Sequence, residues 1–473
     1  MSWLNLVSFA GIFILCGIAW VGSENRRVIP WKVILWGIAL QLILGLLVFS
    51  FPVTRSVVTI LSISVNAVLD ATEAGARFLF GSLLVPDLSA TPGPIRVGRW
   101  IARAITPAYV PVAGDRLSPD NLNLGYAFAF RALPSVIFFS ALMSLFYHLR
   151  VIQPIVNFFA KIFHRLLNLS GAEALSGATN IFVGIESALV IRPYLADMTR
   201  SELCAILTCC YGSIASTVLA LYAGVLRPTF PNITGHLVSA SLMAIPACFV
   251  VSKLLVPETE TPKTAGVVLA ETESKENTPS SAMESVIAGA MDGAKLAVAI
   301  AALLVAILGL GALVNLFFAN LGGLAESNNL FVRRIGIIFQ IVTLQNIVGA
   351  LFLPLTAITG VSANWNEIWE ASVLIGRRLL ETEVPSYQQL GVLASQGKMS
   401  DRALLITSYC LCGFAHLPSV GIFVGGFSSL MPSRRKELAS VGWKALWAAT
   451  LATLMIGCVA GVFYLGNPSV LRG

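Results

Sequence analysis

A carboxylate set in the middle of an apolar chain constrains this fold more than any other feature. The stretch Ser176-Gly-Ala-Thr-Asn-Ile-Phe-Val-Gly-Ile-Glu-Ser-Ala-Leu-Val-Ile-Arg-Pro-Tyr194 carries Asn180, Gly184, Glu186 and Ser187 among apolar neighbours. The chain around it is 56% apolar and only 12% charged over 473 residues, with a mean hydropathy of +0.81. That is the composition of a polytopic membrane protein. A charged side chain at mid-membrane costs roughly 2.5–3.5 kcal/mol on insertion scales. Irregular backbone survives at that depth only inside protein or along a cavity. Glycines flank the polar residues, so the stretch reads as a re-entrant hairpin whose tip holds a binding site.

The remaining apolar runs give the frame. A helix crosses the hydrocarbon core in roughly 20 residues. Runs of that order cover Leu4 to Val21, Val33 to Phe51, Ala127 to Tyr147, Leu203 to Leu226, Leu237 to Leu255, Val286 to Phe318, Leu404 to Phe427 and Ala445 to Leu465. A further apolar segment follows Arg333 and Arg334 to about Leu355. The first run lacks a small-residue cleavage site and is read as a retained span. Arg26, Arg27 and Lys32 put the first loop in the cytoplasm and the N-terminus outside. The net charge of +7 sits mostly in loops, which suits membrane orientation and not nucleic-acid binding. The long outer loop, Arg333/Arg334, Arg377, Arg378, Lys398 and Arg402 break the positive-inside pattern.

Between the spans, Val57 to Phe80 mixes Asp70, Glu73 and Arg77 with apolar residues, as an interfacial helix does. Pro86 to Asn123 is an outer loop rich in Pro, Gly and Asp. Pro257 to Met283 reads as a flexible cytoplasmic linker without apolar periodicity. All eight cysteines lie in apolar runs, and Cys410-Leu-Cys412 lacks zinc-site partners, so they read as small buried filler. The expected sections are 1–125 (N-terminal spans, interfacial helix, outer loop), 126–256 (scaffold span, first hairpin, first repeat), 257–285 (linker), 286–360 (scaffold and connecting helices) and 361–473 (second hairpin, second repeat).

A second polar stretch, Leu379-Leu-Glu-Thr-Glu-Val-Pro-Ser-Tyr-Gln-Gln-Leu390, answers the first. Met198 precedes Cys209 and Gly212 by the intervals that separate Met399 from Cys410 and Gly413. Each following span carries a possible break, at Tyr211-Gly-Ser-Ile-Ala-Ser216 and at Cys412-Gly-Phe-Ala-His-Leu-Pro-Ser419. Two opposed hairpins, each followed by an interrupted helix, is the inverted-repeat plan of secondary transporters, whose sites lie between the repeats. The fold class expected is therefore all-α and polytopic, with about eight transmembrane helices and two re-entrant hairpins in an inverted repeat.

Several motifs resemble the concentrative nucleoside transporter family. They are Asn180-Ile-Phe-Val-Gly184, Arg192-Pro-Tyr194 with Met198-Thr-Arg-Ser-Glu-Leu203, Tyr409-Cys-Leu-Cys-Gly-Phe-Ala415, and Gly425-Gly426 through Pro432-Ser-Arg-Arg435. The resemblance implies a homotrimeric, elevator-like symporter in the cell membrane (the inner membrane in a bacterium), importing nucleosides with Na⁺, or in some members H⁺. It implies a sodium site of Asn180, the Val183 carbonyl, Ser213 and the Ile214 carbonyl, oxygen ligands that suit a hard cation. It implies a substrate site of Glu383, Phe414 and Ser419 toward the sugar, with Gly184, Ile185 and Glu186 at the first hairpin tip. Two departures fall on recognition groups. The family's Gly-Gln-Thr-Glu tip is the shorter Gly184-Ile185-Glu186 here, and its sugar-binding Asn is His416.

Other readings of these residues stand beside that one. Glu186 and Glu383 could pair with an arginine or cap broken helix ends, and His416 could be a satisfied core histidine. A carrier of another polyhydroxylated or heteroaromatic solute fits the same plan. A membrane enzyme or sensor with the two glutamates as acid and base is the alternative from another class. It has no metal spacing, nucleophile elbow or phosphate loop behind it.

Overall fold

A computed structural model of the chain describes residues 2–50, 52–81, 85, 128–182, 184, 187–227, 229–269 and 281–466. The outer loop 86–123 lies outside them, as do Val183, Ile185 and Glu186. Every element among the described residues is helical. The first half holds α1 (Trp3–Val21), α2 (Trp31–Ser50), α3 (Pro52–Phe80), α4 (Phe128–His148), α5 (Gln153–Leu167) and α6 (Gly171–Thr179). It continues with α7 (Ser187–Val190), a 3-10 turn at Arg192–Asp197, then α8 (Arg200–Gly212), α9 (Ser216–Leu226) and α10 (Ile233–Leu255). The second half holds α11 (Ala282–Gly323), α12 (Leu330–Ile341), α13 (Leu344–Ala357), α14 (Trp365–Glu381) and α15 (Glu383–Ser395). It ends with α16 (Asp401–Cys410), α17 (Leu417–Leu430) and α18 (Arg435–Phe463).

Among the described residues six helices are long and apolar enough to cross a membrane: α1, α2, α4, α10, α11 and α18. The expected spans Leu203–Leu226 and Leu404–Phe427 are each cut in two, as α8/α9 and α16/α17. No half of either passes a single-helix length test, which is why this number falls short of the eight read from apolar runs. The segment after Arg333 is also bent, by 60° between α12 and α13. Of the spanning stretches, α10 and α18 are 89% buried and α11 only 11%. The first two are therefore the centre of the bundle, and α11 is a peripheral helix whose apolar side chains face outward.

Small residues let the central helices approach closely, the usual device where lipid is the solvent. A Cβ on Gly457 of α18 would sit 2.2 Å from Cys410 Sγ, and one on Gly212 would sit 2.3 Å from Cys248 Sγ. The cysteines are thus the filler their apolar settings suggest. At the periphery, Gly289 and Gly293 seat α11 on α4, where a Cβ would come within 2.5 Å of Ser144 Cβ and 2.7 Å of Ser140 Cβ.

Polar clamps tie the ends together. On one face, Glu24 pairs with Arg200 at 2.8 Å and Lys444 at 2.6 Å, and its backbone N–H donates to Leu255 O. The α1–α2 loop, the start of α8, the end of α10 and the start of α18 therefore share a side, the one read as cytoplasmic from their basic residues. On the other face, Arg402 donates to Gly360 O at 2.8 Å, Ser8 Oγ at 3.0 Å and Asn5 Oδ1 at 3.3 Å. That clamp accounts for one basic residue outside the expected pattern.

Helix α3 matches the amphipathic stretch, and its acids are paired, Asp70 with Arg227 at 2.7 Å and Glu73 with Arg131. The stretch read as a flexible linker departs from that reading in its first part, and residues 270–280 of it lie outside the described residues. Residues 257–269 are docked on the first hairpin and not free. Thr264 accepts the N–H groups of Gly171 and Ala172 at the start of α6. Glu258 accepts from Thr199 Oγ1 and pairs with the buried Lys253. The sequence signal failed because the docking uses backbone donors at a helix start, which any polar loop can cap.

Candidate functional site

The first hairpin begins in a double cap. Ser170 caps α6 and Thr199 caps α8, each in a reciprocal box with Glu173 or Glu202 three residues on. Ser170 Oγ also donates to Glu202 Oε1 at 2.6 Å, and Lys253 lies 2.5 Å from Glu173 Oε1. These buried groups weld the root of the hairpin to the root of α8.

One helix length further in, the two elements meet again. Asn180 ends α6 and is fully buried. Its amide Nδ2 donates to Ser176 O and to Ser187 Oγ at 2.9 Å, and sits 3.7 Å from Cys210 Sγ of α8. Its Oδ1 is buried with no hydrogen-bond partner. Such an orphan acceptor calls for a ligand. Helix α8 stops at Ser213, whose Oγ donates to Cys209 O at 2.8 Å and so leaves its lone pairs free. Ile214 is buried beside it. Amide, hydroxyl and carbonyl oxygens at a half-helix end suit a hard monovalent cation, so the donor set fits the ion expected there.

The second hairpin is α14 packed on α15, with Thr382 between them at φ 129°. A threonine in that region is strained, and the kink turns Glu383 to the first position of α15, where the helix start favours a negative charge. The two glutamates of Glu381-Thr-Glu383 have separate roles. Glu381 pairs with Arg377 one turn away at 2.8 Å. Glu383 is buried, accepts from the Tyr222 hydroxyl at Oε1, and presents Oε2 3.1 Å from His416 Nε2 without a straight hydrogen bond. Its hydrogen-bond and close polar partners are not arginines, while its place at the start of α15 is the one the capping reading expects.

His416 caps α17. Its Nδ1 accepts the N–H of Ser419 at 3.2 Å, so the proton of the neutral ring lies on Nε2, facing Glu383. Ser419 Oγ donates to Phe414 O, closing the break over itself. The Phe414 ring stands 6.3 Å from both the His416 and Phe423 rings. The breaks of the two halves touch, since a Cβ on Gly413 (φ +149°) would lie 2.9 Å from Gly212 O.

Gly184, Thr382, Glu383, Phe414, His416 and Ser419 line one cavity of about 130 Å³, walled on its far side by Leu296, Ile300, Leu303 and Leu304 of α11. That is smaller than the roughly 300–1,000 Å³ of preformed ligand sites, so the site is drawn in on itself. A larger cavity of about 400 Å³ lies where α11 meets α12, lined by Phe318, Phe339 and Gln340 among others. It lacks a buried carboxylate and both helix breaks, so the chemistry points to the smaller one.

Three family descriptions match the chain: Na⁺ dependent nucleoside transporter N-terminus over residues 10–83, nucleoside recognition (Gate) over 129–229, and Na⁺ dependent nucleoside transporter C-terminus over 236–461. The putative nucleoside permease NupX of Escherichia coli K12 is 31% identical, covering 96% of this chain and 98% of its own. The chain belongs to the concentrative nucleoside transporter family. The rat sodium/nucleoside cotransporter 1 is also 31% identical over 98% of the chain, which spans 64% of that longer protein. The structure of CNTnw in an inward-facing substrate-bound state superposes with a TM-score of 0.81 at 32% identity, covering 99% of both chains. The protein is thus a multi-pass membrane transporter, not an enzyme.

Sequence reasoning brought five of the seven substrate-site candidates to the transporter's cavity: Gly184, Glu383, Phe414, His416 and Ser419. It missed Tyr222, which stacks on Tyr387 with ring centroids 4.6 Å apart while holding Glu383. Tyr387 sits one turn after Glu383 on the same face, a spacing that could have flagged it. It also missed Thr382 and the α11 wall.

Proposed function

We propose that this chain is a cation-coupled symporter that imports nucleosides by an elevator-like movement. One observation carries the reading: a buried carboxylate, Glu383, faces a cavity made where two broken helices and two hairpin tips converge. A carboxylate has about four lone-pair sites. Tyr222 takes one and His416 stands at another, leaving acceptors for a vicinal diol. Phe414 is the wall for the ring of the substrate, and Ser419 and His416 shape the sugar side. Ile185 and Glu186 belong by sequence to the base side.

Sodium is proposed as the coupling ion, held by Asn180, the Val183 carbonyl, Ser213 and the Ile214 carbonyl. The orphaned Asn180 Oδ1 supports this. The α4–α11 pair, joined through Gly289 and Gly293, is proposed as the scaffold against which the hairpin-bearing bundle slides. The exposed apolar side chains of α11 suit lipid and the neighbouring copies of a trimer in the cell membrane, the inner membrane in a bacterium. Each interrupted pair, α8/α9 and α16/α17, is counted as one crossing of the inverted repeat.

Uptake into proteoliposomes tests the reading. Uridine and adenosine should be taken up against their gradients with Na⁺ and not with choline. They should compete within about an order of magnitude, because an apolar tip discriminates by only about 1–3 kcal/mol per group. Deoxy-sugars should lose affinity. Uptake driven by a pH gradient alone would transfer coupling to H⁺ and to the His416–Glu383 pair. Binding of no nucleoside would move the chain to another solute.

A further inference from the structure

The half-helix ends of the two halves meet different partners. Cys209 of α8 and Cys410 of α16 hold the same spacing from Met198 and Met399; α16 stops at Cys410, and α8 runs one turn further to Gly212. A helix end of this kind gathers partial negative charge on its last carbonyls. At α8, Cys209 O accepts from Ser213, and the described residues of the facing hairpin bring neutral oxygens, among them the orphaned Asn180 Oδ1. At α16, Cys410 O accepts from Nη1 of Arg378 at 2.5 Å. The same nitrogen donates to Thr453 Oγ1 of α18 at 2.9 Å. The hairpin arm that faces this break therefore delivers a guanidinium.

Arg378 is not an ordinary structural ion pair. It is fully buried, and among the described residues no carboxylate lies within ion-pair distance of it. Its Nε and Nη2 have no hydrogen-bond partner. Arg377, next to it, takes the local acid Glu381. A buried charge without a counter-ion costs free energy that packing does not return, and intramembrane charges mark functional positions. What offsets the cost here is the carbonyl end of α16, with the Glu383 carboxylate acting from beyond ion-pair distance.

We infer that Arg378 is a tethered cation, fixed in the second half in the place that an exchangeable cation takes in the first. This rests on the proposed sodium site around Asn180. The half-helix end beside Phe414 and His416 then carries its own positive charge through the whole cycle. The second hairpin answers to substrate at Glu383 and not to an ion. One exchangeable cation, not two, accompanies each substrate.

The test uses the full-length purified protein with Arg378→Lys, Arg378→Met and Arg378→Gly. Melting is followed with Na⁺, guanidinium or urea at equal millimolar concentration, and uridine uptake is followed in proteoliposomes. Arg378→Gly should be stabilised by guanidinium and not by urea, an effect the wild type lacks. Its uptake should recover with guanidinium. Arg378→Met should lose at least about tenfold in uptake while Arg378→Lys keeps most of it, as expected of an intramembrane charge in use. The Hill coefficient for Na⁺ should be about one in the wild type and should rise in Arg378→Gly, as a second site opens. If Arg378→Gly fails to fold, the contrast between Arg378→Lys and Arg378→Met decides. Wild-type uptake in Arg378→Met overturns the inference, as does equal rescue by urea and guanidinium, which would mean a filled hole. A wild type indifferent to Na⁺ would sink the sodium reading at Asn180, while the guanidinium melting result still judges Arg378.

Discussion

Among the described residues the first hairpin offers neutral oxygens where the second offers fixed charge. At the first tip, Asn180 is held by its amide nitrogen and leaves its carbonyl oxygen unpartnered. At the second, Glu383 is gripped by Tyr222 and faced by His416, with Arg378 already in contact with the adjacent half-helix end. On the proposed reading the two tips divide the work. A weak field of neutral dipoles binds a cation reversibly, whereas a buried carboxylate offers strong, directional acceptors to hydroxyl groups.

The largest expected effect falls on the charged side. Glu383→Gln keeps the shape and removes the charge-assisted acceptors, worth about 1.5–3 kcal/mol per bond. Uridine affinity should fall roughly tenfold or more, at about 1.4 kcal/mol per factor of ten. Its Na⁺ requirement at saturating uridine should stay near the wild-type value. Unchanged uridine affinity in a folded, inserted variant would take Glu383 out of the site and dissolve the contrast.

Asn180→Ala is the converse. It removes the orphan acceptor and should raise the Na⁺ needed for half-maximal uptake by about tenfold or more, the scale on which supporting ligands act at metal sites. Uridine affinity at saturating Na⁺ should move much less. A variant with normal Na⁺ dependence and weakened uridine binding would exchange the roles assigned to the two tips.

A smaller effect is expected at His416, which serves the second half twice. His416→Asn keeps a good N-cap for α17 but withdraws the N–H that faces Glu383. Uptake should drop only a few-fold, about 1 kcal/mol for one hydrogen bond. His416→Ala should also lower the melting temperature, because losing a cap costs about 0.5–2 kcal/mol. Equal melting temperatures for the two variants would show that the cap at α17 carries no weight.

The same contrast explains what the sequence made legible. The apolar runs of about membrane length gave α1, α2, α4, α10, α11 and α18, because a span must hide its backbone inside one helix. The polar stretches marked both tips, and Gly212 and Gly413 marked both breaks. What stayed hidden was every partner that leaves no pattern. Arg378 and Arg402 were visible only as basic residues out of place, because their acceptors are the backbone carbonyls of Cys410 and Gly360. Tyr222 read as one more aromatic in a span. Thr264 capped a helix from far along the chain, which no local periodicity encodes.

The smallest effect is expected where the first half is anchored. Glu24 bridges Arg200, at the root of α8, and Lys444, at the root of α18. The hydrogen-bonded Arg200 guanidinium, with help from Lys444, holds the Glu24 carboxyl below the usual carboxylate range. A carboxyl depressed in this way adds stability that is complete above its unfolded-state pKa and disappears as pH falls through the folded one. Surface pairs are worth about 0–1 kcal/mol and are screened by salt. Glu24→Gln should therefore lower the melting temperature slightly at neutral pH. The gap to the wild type should close on acidification below the carboxylate range, and high salt should shrink it. A gap that persists in acid would mean that Glu24 acts through packing, and that the root of α8 is held electrostatically by its buried polar bonds, Ser170–Glu202 among them.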